Sequence, residues 1–490
     1  MYWANFLHFY QPPTQKKYWI DRITRESYQR LVEGFLSHPK ARVTLNINAL
    51  LFEFWDRFGH HDILSGLRKL LERGQIELTS SAKYHPLLPN LPEGEIVRQI
   101  QLNDLTSRDY LGELYNPRGF FPPEMAYDRK VAKVAASLGY EWIIAEELSL
   151  NHEFGAVDYS KIYEVEGVNV SATRASPGVE TQHAASLLKI FFRKRDISYK
   201  ILSGQLGTPN LFLDAIGGRS SKNEYLLTAM DAETFGHHRP GMDKLLFELF
   251  EVPTVETVLI SSLPRLYGGR ETVETLPSTW ALMRHDLEKN IPYARWEDPD
   301  NKIHQMQWEL TDLAIEAVEN SKFQIQPAPP RKTSSLTLEV GESAEQRQWL
   351  KARTLLDRAL HSDQYWWASA RPWWSLEMIE RGAKELSEVV RGVPDIPERK
   401  KKEAWSLYHD IITTGFDWQR EGKVGAMARA EDEAVRMRTD EGIPELPCEE
   451  IDKMIRVIRK EMLEVAKNQE YERAAQLRDR IKELEGYKDR

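Results

Sequence analysis

Cysteine is almost missing. Cys448 is the only one in 490 residues. It has no partner for an internal disulfide, which fits a reducing cytoplasm, and it excludes thiolate-rich metal sites. No apolar run is long enough to cross a bilayer, so no membrane partner is expected. The opening residues MYWANFLHFYQPP lack a basic segment and a small-residue cleavage site, so no signal peptide is expected. Positive charge is in deficit: 66 Lys and Arg face 75 Asp and Glu, a net charge of -9. That argues against nucleic acid as a partner. No G-x-G-x-x-G turn follows the first strand, so a dinucleotide-binding sheet is unsupported and no cofactor is implied.

What is present is an ordinary globular composition, 41% hydrophobic and 29% charged. The length exceeds one simple core and predicts two or three domains. Aromatics are abundant, with 14 Trp and 19 Tyr, and some cluster as Trp366-Trp367 and Trp373-Trp374. Flat rings suit the C–H faces of sugars, and they also suit an ordinary core.

Up to residue 270, short apolar runs alternate with helical patterns. Strands are predicted at 2–10, 43–48, 75–81, 119–124, 141–147, 187–193 and 224–230, with 255–263 as a last one. Helices are predicted at 62–74, 95–114, 129–140 and 242–252, two of them stopped by Gly74 and Gly139. Repeated β-then-α units imply parallel strands with helices outside, and seven or eight strands favour a barrel over an open sheet. From 271 to 437 the patterns are helical, at 301–320, 344–362, 375–392 and 398–422. The Pro- and Ser-rich stretch 324–343 is expected to be a long loop, and 438–450 a second break. Residues 449–490 repeat apolar positions at helical spacing around the interruption NQEYE, which predicts a helical hairpin with one apolar seam. That hairpin is too short to hold a core alone, so it should pack on something.

In a parallel barrel the chemistry sits where the strands end. Four strand ends carry polar groups: His8, Gln11, Pro12 and Pro13; Lys83 and His85; Glu124; then Asp231, Glu233, His237 and His238. Taken singly, each has a plain structural explanation, such as a satisfied core histidine or an acid at a helix start. Their shared location is what gives them weight. Two carboxylates on facing strand ends suit glycoside cleavage. A metal site built from His8, Asp231, His237 and His238 is the rival reading, although the tight H-E-x-x-H spacing is absent.

At these residues the chain resembles glycoside hydrolase family 57. His8, Gln11 and Pro12 match a His–Gln–Pro motif. GQIEL (Gly74 to Leu78), GFFPPEMAYD and MDAETFG match three further motifs in order. The resemblance implies an α/β fold, with a (β/α)7 barrel, a helical domain completing the cleft and the C-terminal hairpin. It also implies a retaining mechanism on α-glucans, with Glu124 as nucleophile and Asp231 as acid/base. His8 and Gln11 would line the attacked sugar's subsite. Arg193, in FFRKRDIS, and Asp363 and Trp366, in HSDQYWWAS, are further substrate-side candidates. His85 and His237 join them, and Glu233 would orient its neighbours. The hairpin residues Tyr471 to Leu484 resemble a UVR motif. They imply docking of a protein partner or self-association; the alternative is a hairpin packed on its own catalytic domain. Two other functions stay open at this point: a metal-dependent carbohydrate deacetylase or hydrolase on a related barrel, and a non-catalytic regulator.

Overall fold

The computed structural model describes residues 1–171, 186–217, 222–324, 343–439 and 447–488. The expected Pro- and Ser-rich loop and most of the break at 438–450 lie outside the described residues. Ten strands form among those described: β1 (Tyr2–Phe9), β2 (Val43–Ile47), β3 (Ile76–Thr79), β4 (Gly119–Phe120), β5 (Trp142–Glu146), β6 (Ile162–Asn169), β7 (Leu187–Arg193), β8 (Tyr225–Asp231), β9 (Glu256–Thr257) and β10 (Arg270–Val273).

Parallel ladders join β3, β2, β1 and β8 in one sheet and β4, β5 and β7 in the other. Two junctions link the sheets. Beyond β3, Ser80 N donates to Gly119 O and Phe121 N to Ser80 O, both at 2.9 Å. Beyond β7, Lys194 N donates to Leu227 O at 2.6 Å. The seven parallel strands therefore run β1-β2-β3-β4-β5-β7-β8 and back to β1, with the ladder interrupted at two seams. Side chains alternate with a period of two along each strand. Ala4, Phe6, Leu227 and Ala229 share one core; Trp3, Leu7, Leu226 and Met230 share the other, with the helices outside.

The structure differs from the expected strands in three places. β6 lies antiparallel to β7 and carries β10 on its other edge, so the sheet continues past residue 270. In 255–263 only Glu256–Thr257 pairs, against β1. Past that point Thr44 Oγ1 accepts from Ile260 N at 3.1 Å, and Glu77 Oε1 accepts from Ser261 N at 3.1 Å. Side chains of β2 and β3 thus take the amides that a longer ladder would use.

The helices begin where side chains cap them. Asn48, Asp128, Asn301, Ser343 and Ser375 each accept an amide from the first turn that follows. The helices Lys302–Glu319, Ala344–Ala359, Leu376–Gly392 and Glu398–Arg420 bring Leu310, Leu356, Leu386 and Ile411 into the core that also holds β4, β5 and β7. The C-terminal hairpin consists of Cys448–Lys467 and Tyr471–Lys488. Its seam, including Met454, Ile458, Leu477 and Ile481, is buried in the same core as Phe212, Met242 and Leu245. Glu450 fixes one end by accepting from Thr208 Oγ1 at 2.5 Å and Asn210 Nδ2 at 3.1 Å. The apolar seam is therefore satisfied within the chain.

β4 leads directly to Glu124, and Gly119 sets how closely it lies against β5. A Cβ at Gly119 would stand 2.2 Å from the buried Trp142 indole. Gly119→Ala is expected to destabilise the fold by about 1–3 kcal/mol through overpacking. The check is the chemical denaturation midpoint, which would fall with an unchanged slope.

Candidate active site

Strand register sets out the first part of the site. His8 of β1 stands beside Asp231 of β8 on one side and Asn46 of β2 on the other, and Asn46 stands beside Thr79 of β3. All of these lie at carboxyl ends. Asn46 Oδ1 lies 2.8 Å from His8 Nδ1, and Asn46 Nδ2 donates to Thr79 Oγ1 at 3.0 Å. His8 Nε2 lies 3.1 Å from His85 Nε2, His85 Nδ1 lies 3.1 Å from Ser362 Oγ, and Ser362 Oγ lies 3.2 Å from Glu124 Oε1. A continuous chain of hydrogen bonds thus links β3, β2 and β1 to Glu124, closed by Ser362 from the helical part.

Burial lowers His8 to about 4, and burial, then the neighbouring His8 and His361, holds His85 well below the usual imidazole range. Both rings are therefore neutral near pH 7, with one N–H each. With Asn46 accepting at Oδ1, His8 carries its proton on Nδ1, so His8 Nε2 accepts from His85 Nε2–H. His85 Nδ1 is then an acceptor, and the Ser362 hydroxyl turns towards it. A protonated Glu124 completes this arrangement by donating to Ser362 Oγ. With Glu124 ionised, Ser362 donates to Oε1 and the chain reverses.

Glu124 itself is half-buried, with 16% of its side chain exposed. Its other oxygen, Oε2, accepts from Trp280 Nε1 at 3.1 Å. Burial, then the charges of Asp363 and Asp231, raises its carboxyl to about 8. Its backbone lies at φ +59, ψ +16, Met125 follows at φ +48, and His85 stands at φ +55. Left-handed conformations cost about 1–3 kcal/mol each in side-chain-bearing residues and persist where the surroundings enforce them. Here a bridge between Tyr127 and Ser278 ties the segment after Glu124 to the one carrying Trp280.

Asp231 is partly exposed. Burial raises its pKa, opposed by the Arg193 charge. Asp363 accepts from Tyr10 OH at 2.6 Å and pairs with His361 Nδ1 at 3.2 Å. The charges of Asp363 and Asp231 both act on Glu124. Trp366 is half-buried with its ring 5.1 Å from Trp296.

Other sequence candidates stand behind this front. Gln11 Nε2 donates to Tyr28 OH at 3.0 Å and to Glu233 Oε1 at 2.9 Å. Tyr28 also donates to Glu233, whose carboxyl is raised by burial and then by the Asp231 charge. Arg193 was expected on the substrate side. It is only 3% exposed. It pairs with Glu146 Oε2 at 2.5 Å and donates to Ala229 O at 3.3 Å and to Trp280 O at 3.0 Å. Its guanidinium is thus committed to holding β8 and Trp280. His237 was expected to meet a sugar hydroxyl, yet it bonds Glu26 Oε2 at 2.5 Å, and its ring lies against His238. Lys83 bonds Glu53 and Thr106. Among the described residues, no three His, Cys, Asp or Glu side chains are grouped to hold a metal ion.

Sequence reasoning missed Trp280, Ser362, Asn46 and Tyr10. Tyr10 lies within the HFYQPP stretch and was within reach. Trp280 lies in LPSTWALM and carries no local signal; only the fold brings it to Glu124.

The profile of Glycosyl hydrolase family 57 matches residues 3–274, and that of the UvrB/uvrC motif matches residues 452–487. Alpha-amylase 1 of Dictyoglomus thermophilum is 27% identical over 147 residues, which are 30% of this chain and 21% of the relative. The 4-alpha-glucanotransferase of Thermococcus litoralis is 25% identical over 142 residues, 29% of this chain and 21% of the relative. The alignments thus span well under half of these curated relatives. A GH57-type branching enzyme from Pyrococcus horikoshii has the same fold, with a TM-score of 0.58 and 15% identity over 85% of this chain and 96% of that one. Since the family profile runs through more than half of its length and through every strand that frames the cleft, the chain belongs to glycosyl hydrolase family 57.

Proposed function

We propose that the protein is a retaining glycoside hydrolase or glucanotransferase acting on α-glucans. The observation that carries this reading is the setting of Glu124: Trp280 and Ser362 bond its two oxygens, and the charges of Asp363 and Asp231 both act on it. The names of the relatives, an alpha-amylase and a 4-alpha-glucanotransferase, support the substrate class.

In this mechanism a Glu124 oxygen attacks the anomeric carbon as the glycosidic C–O bond breaks, and Asp231 delivers its proton to the leaving oxygen. A glucosyl ester of Glu124 results. Asp231, now a carboxylate, takes a proton from water or from a sugar hydroxyl. That oxygen attacks the same carbon, and the ester opens to restore Glu124. Water gives hydrolysis and a sugar gives transfer. Desolvation raises Asp231 to about 6, so it keeps its proton to higher pH than an ordinary carboxyl does. Trp280 and Ser362 orient Glu124, and Tyr10 and His361 orient Asp363. Gln11 and Tyr28 fix the Glu233 carboxyl by donating to it.

Glu124→Gln is expected to lower turnover of maltooligosaccharides by on the order of a thousandfold or more, with the melting temperature held or raised. Wild-type-like turnover in that variant would remove Glu124 from the nucleophile's role. Chromatography of the wild-type products separates hydrolysis from disproportionation and branching.

The pH profile tests the electrostatics. Turnover requires a single proton on the Glu124–Asp231 pair. Because both carboxyls are raised, the acid limb of kcat/KM is expected above the ordinary carboxylate range. Asp363→Asn removes a negative charge that holds Glu124 up at about 8, so the alkaline limb, where the pair loses its last proton, should move to lower pH. Trp280→Phe removes a donor that favours the Glu124 carboxylate, so the alkaline limb should move to higher pH. Shifts of the same sign in both variants would contradict this account.

A further inference from the structure

We propose that Arg473, on the C-terminal hairpin, is a positioning residue for the segment that carries Asp231 and Glu233. The proposal rests on the reading of Asp231 as acid/base. After β8 the chain folds back on itself: His237 N and His238 N both donate to Glu233 O, at 3.1 and 2.7 Å. Gly236 forms the turn at φ +114, where a Cβ would stand 2.1 Å from Glu26 O. That close approach demands glycine and presents the Gly236 carbonyl to the hairpin. Arg473 Nη2 donates to this carbonyl at 2.5 Å.

The same guanidinium lies 3.7 Å from Glu26 Oε2 and 3.6 Å from Glu461 Oε1. Glu26 is also the partner of His237 and of Arg22. Burial works against the Glu26 carboxylate, yet His237, Arg473 and Arg22 hold its pKa below the usual range. Glu461 is bound in turn by Arg30 at 2.8 Å and Lys244 at 3.2 Å. One hairpin side chain therefore touches both walls of the turn, Gly236 on the strand side and Glu26 on the helical segment Thr24–Tyr28.

Docking alone does not call for this arrangement. Met454, Ile458, Leu477 and Ile481 already bury the hairpin's seam. Arg473 is 3% exposed, and its Nε and Nη1 have no hydrogen-bond partner among the described residues. A buried, partly unsatisfied guanidinium weakens an interface relative to an apolar side chain and is accounted for by the direction it imposes.

The test uses the full chain. In Arg473→Met, the amides of His237 and His238 should exchange hydrogen on the order of tenfold faster or more, with residues 302–319 unchanged. Turnover of maltooligosaccharides should fall on the order of tenfold or more in kcat, with KM held within about twofold. Arg473→Lys keeps a charge beside Glu26 and Glu461 and loses the reach to Gly236. It should keep the wild-type melting temperature and still lose kcat. Glu485→Gln, on the solvent side of the hairpin, should change neither readout. Unchanged exchange in a folded Arg473→Met protein, or full kcat in Arg473→Lys, would overturn the proposal. If Arg473→Met does not fold, the lysine variant decides by the same exchange and kcat measurements. A wild-type protein with no glucan turnover would overturn the proposed function, and exchange at His237 and His238 would still decide whether Arg473 holds the turn.

Discussion

Polar side chains buried at the end of an apolar strand circuit must find partners, and the cleft is arranged around that requirement. The interior below is filled by Ala4, Phe6, Leu227 and Ala229. One level up, His8, Asn46 and Thr79 sit where water is excluded and no ladder can satisfy their side chains. They bond to one another, and the chain of bonds passes through His85 and Ser362 to end at Glu124. Each neutral imidazole has one donor and one acceptor, so the chain has a direction. The state of the Glu124 carboxyl at one end is tied to the amide orientation of Asn46 at the other.

Elements outside the strand circuit hold this chain in place. Ser362 comes from the helical part, and Trp280 from the segment leading into it. The carbonyl of Trp280 accepts from Arg193 at 3.0 Å, Arg195 at 3.4 Å and Tyr199 at 2.7 Å. Those three donors anchor the indole that binds Glu124. They also explain why an arginine next to the aromatic pair at the end of β7 serves the site from behind. The left-handed backbone at His85 and Glu124 is held from both sides, by the strands beneath and by these later segments above. On the far side of β8, the C-terminal hairpin covers the turn after Asp231 and shares a core with the outer helices.

Much of this was legible in the sequence because it repeats locally. Short apolar runs marked the seven circuit strands, helical spacing marked the layer beyond residue 300, and the NQEYE interruption marked the hairpin turn. Glu124 and Asp231 were legible as polar residues directly after apolar strand ends. β6 and β10 were not, because exposed and buried positions mix in β6 and none of β10 is buried. The segment 255–263 read as a strand because Val255, Thr257, Val258 and Ile260 are β-branched, yet Thr44 and Glu77 claim the amides of Ile260 and Ser261. Trp366 was legible only as one ring among a run of aromatics.

Residue order alone determined which strand ends carry acid and base groups, because a strand's last residues and its first loop residues are neighbours in the chain. Tertiary structure decided which groups meet. Trp280 and Ser362 reach Glu124 from more than 150 residues away, Arg193 turns inward to Glu146, and His237 turns to Glu26. The physical reason is that a charged or polar side chain takes the partner that burial brings within hydrogen-bond reach, and that partner is set by the fold and not by spacing along the chain.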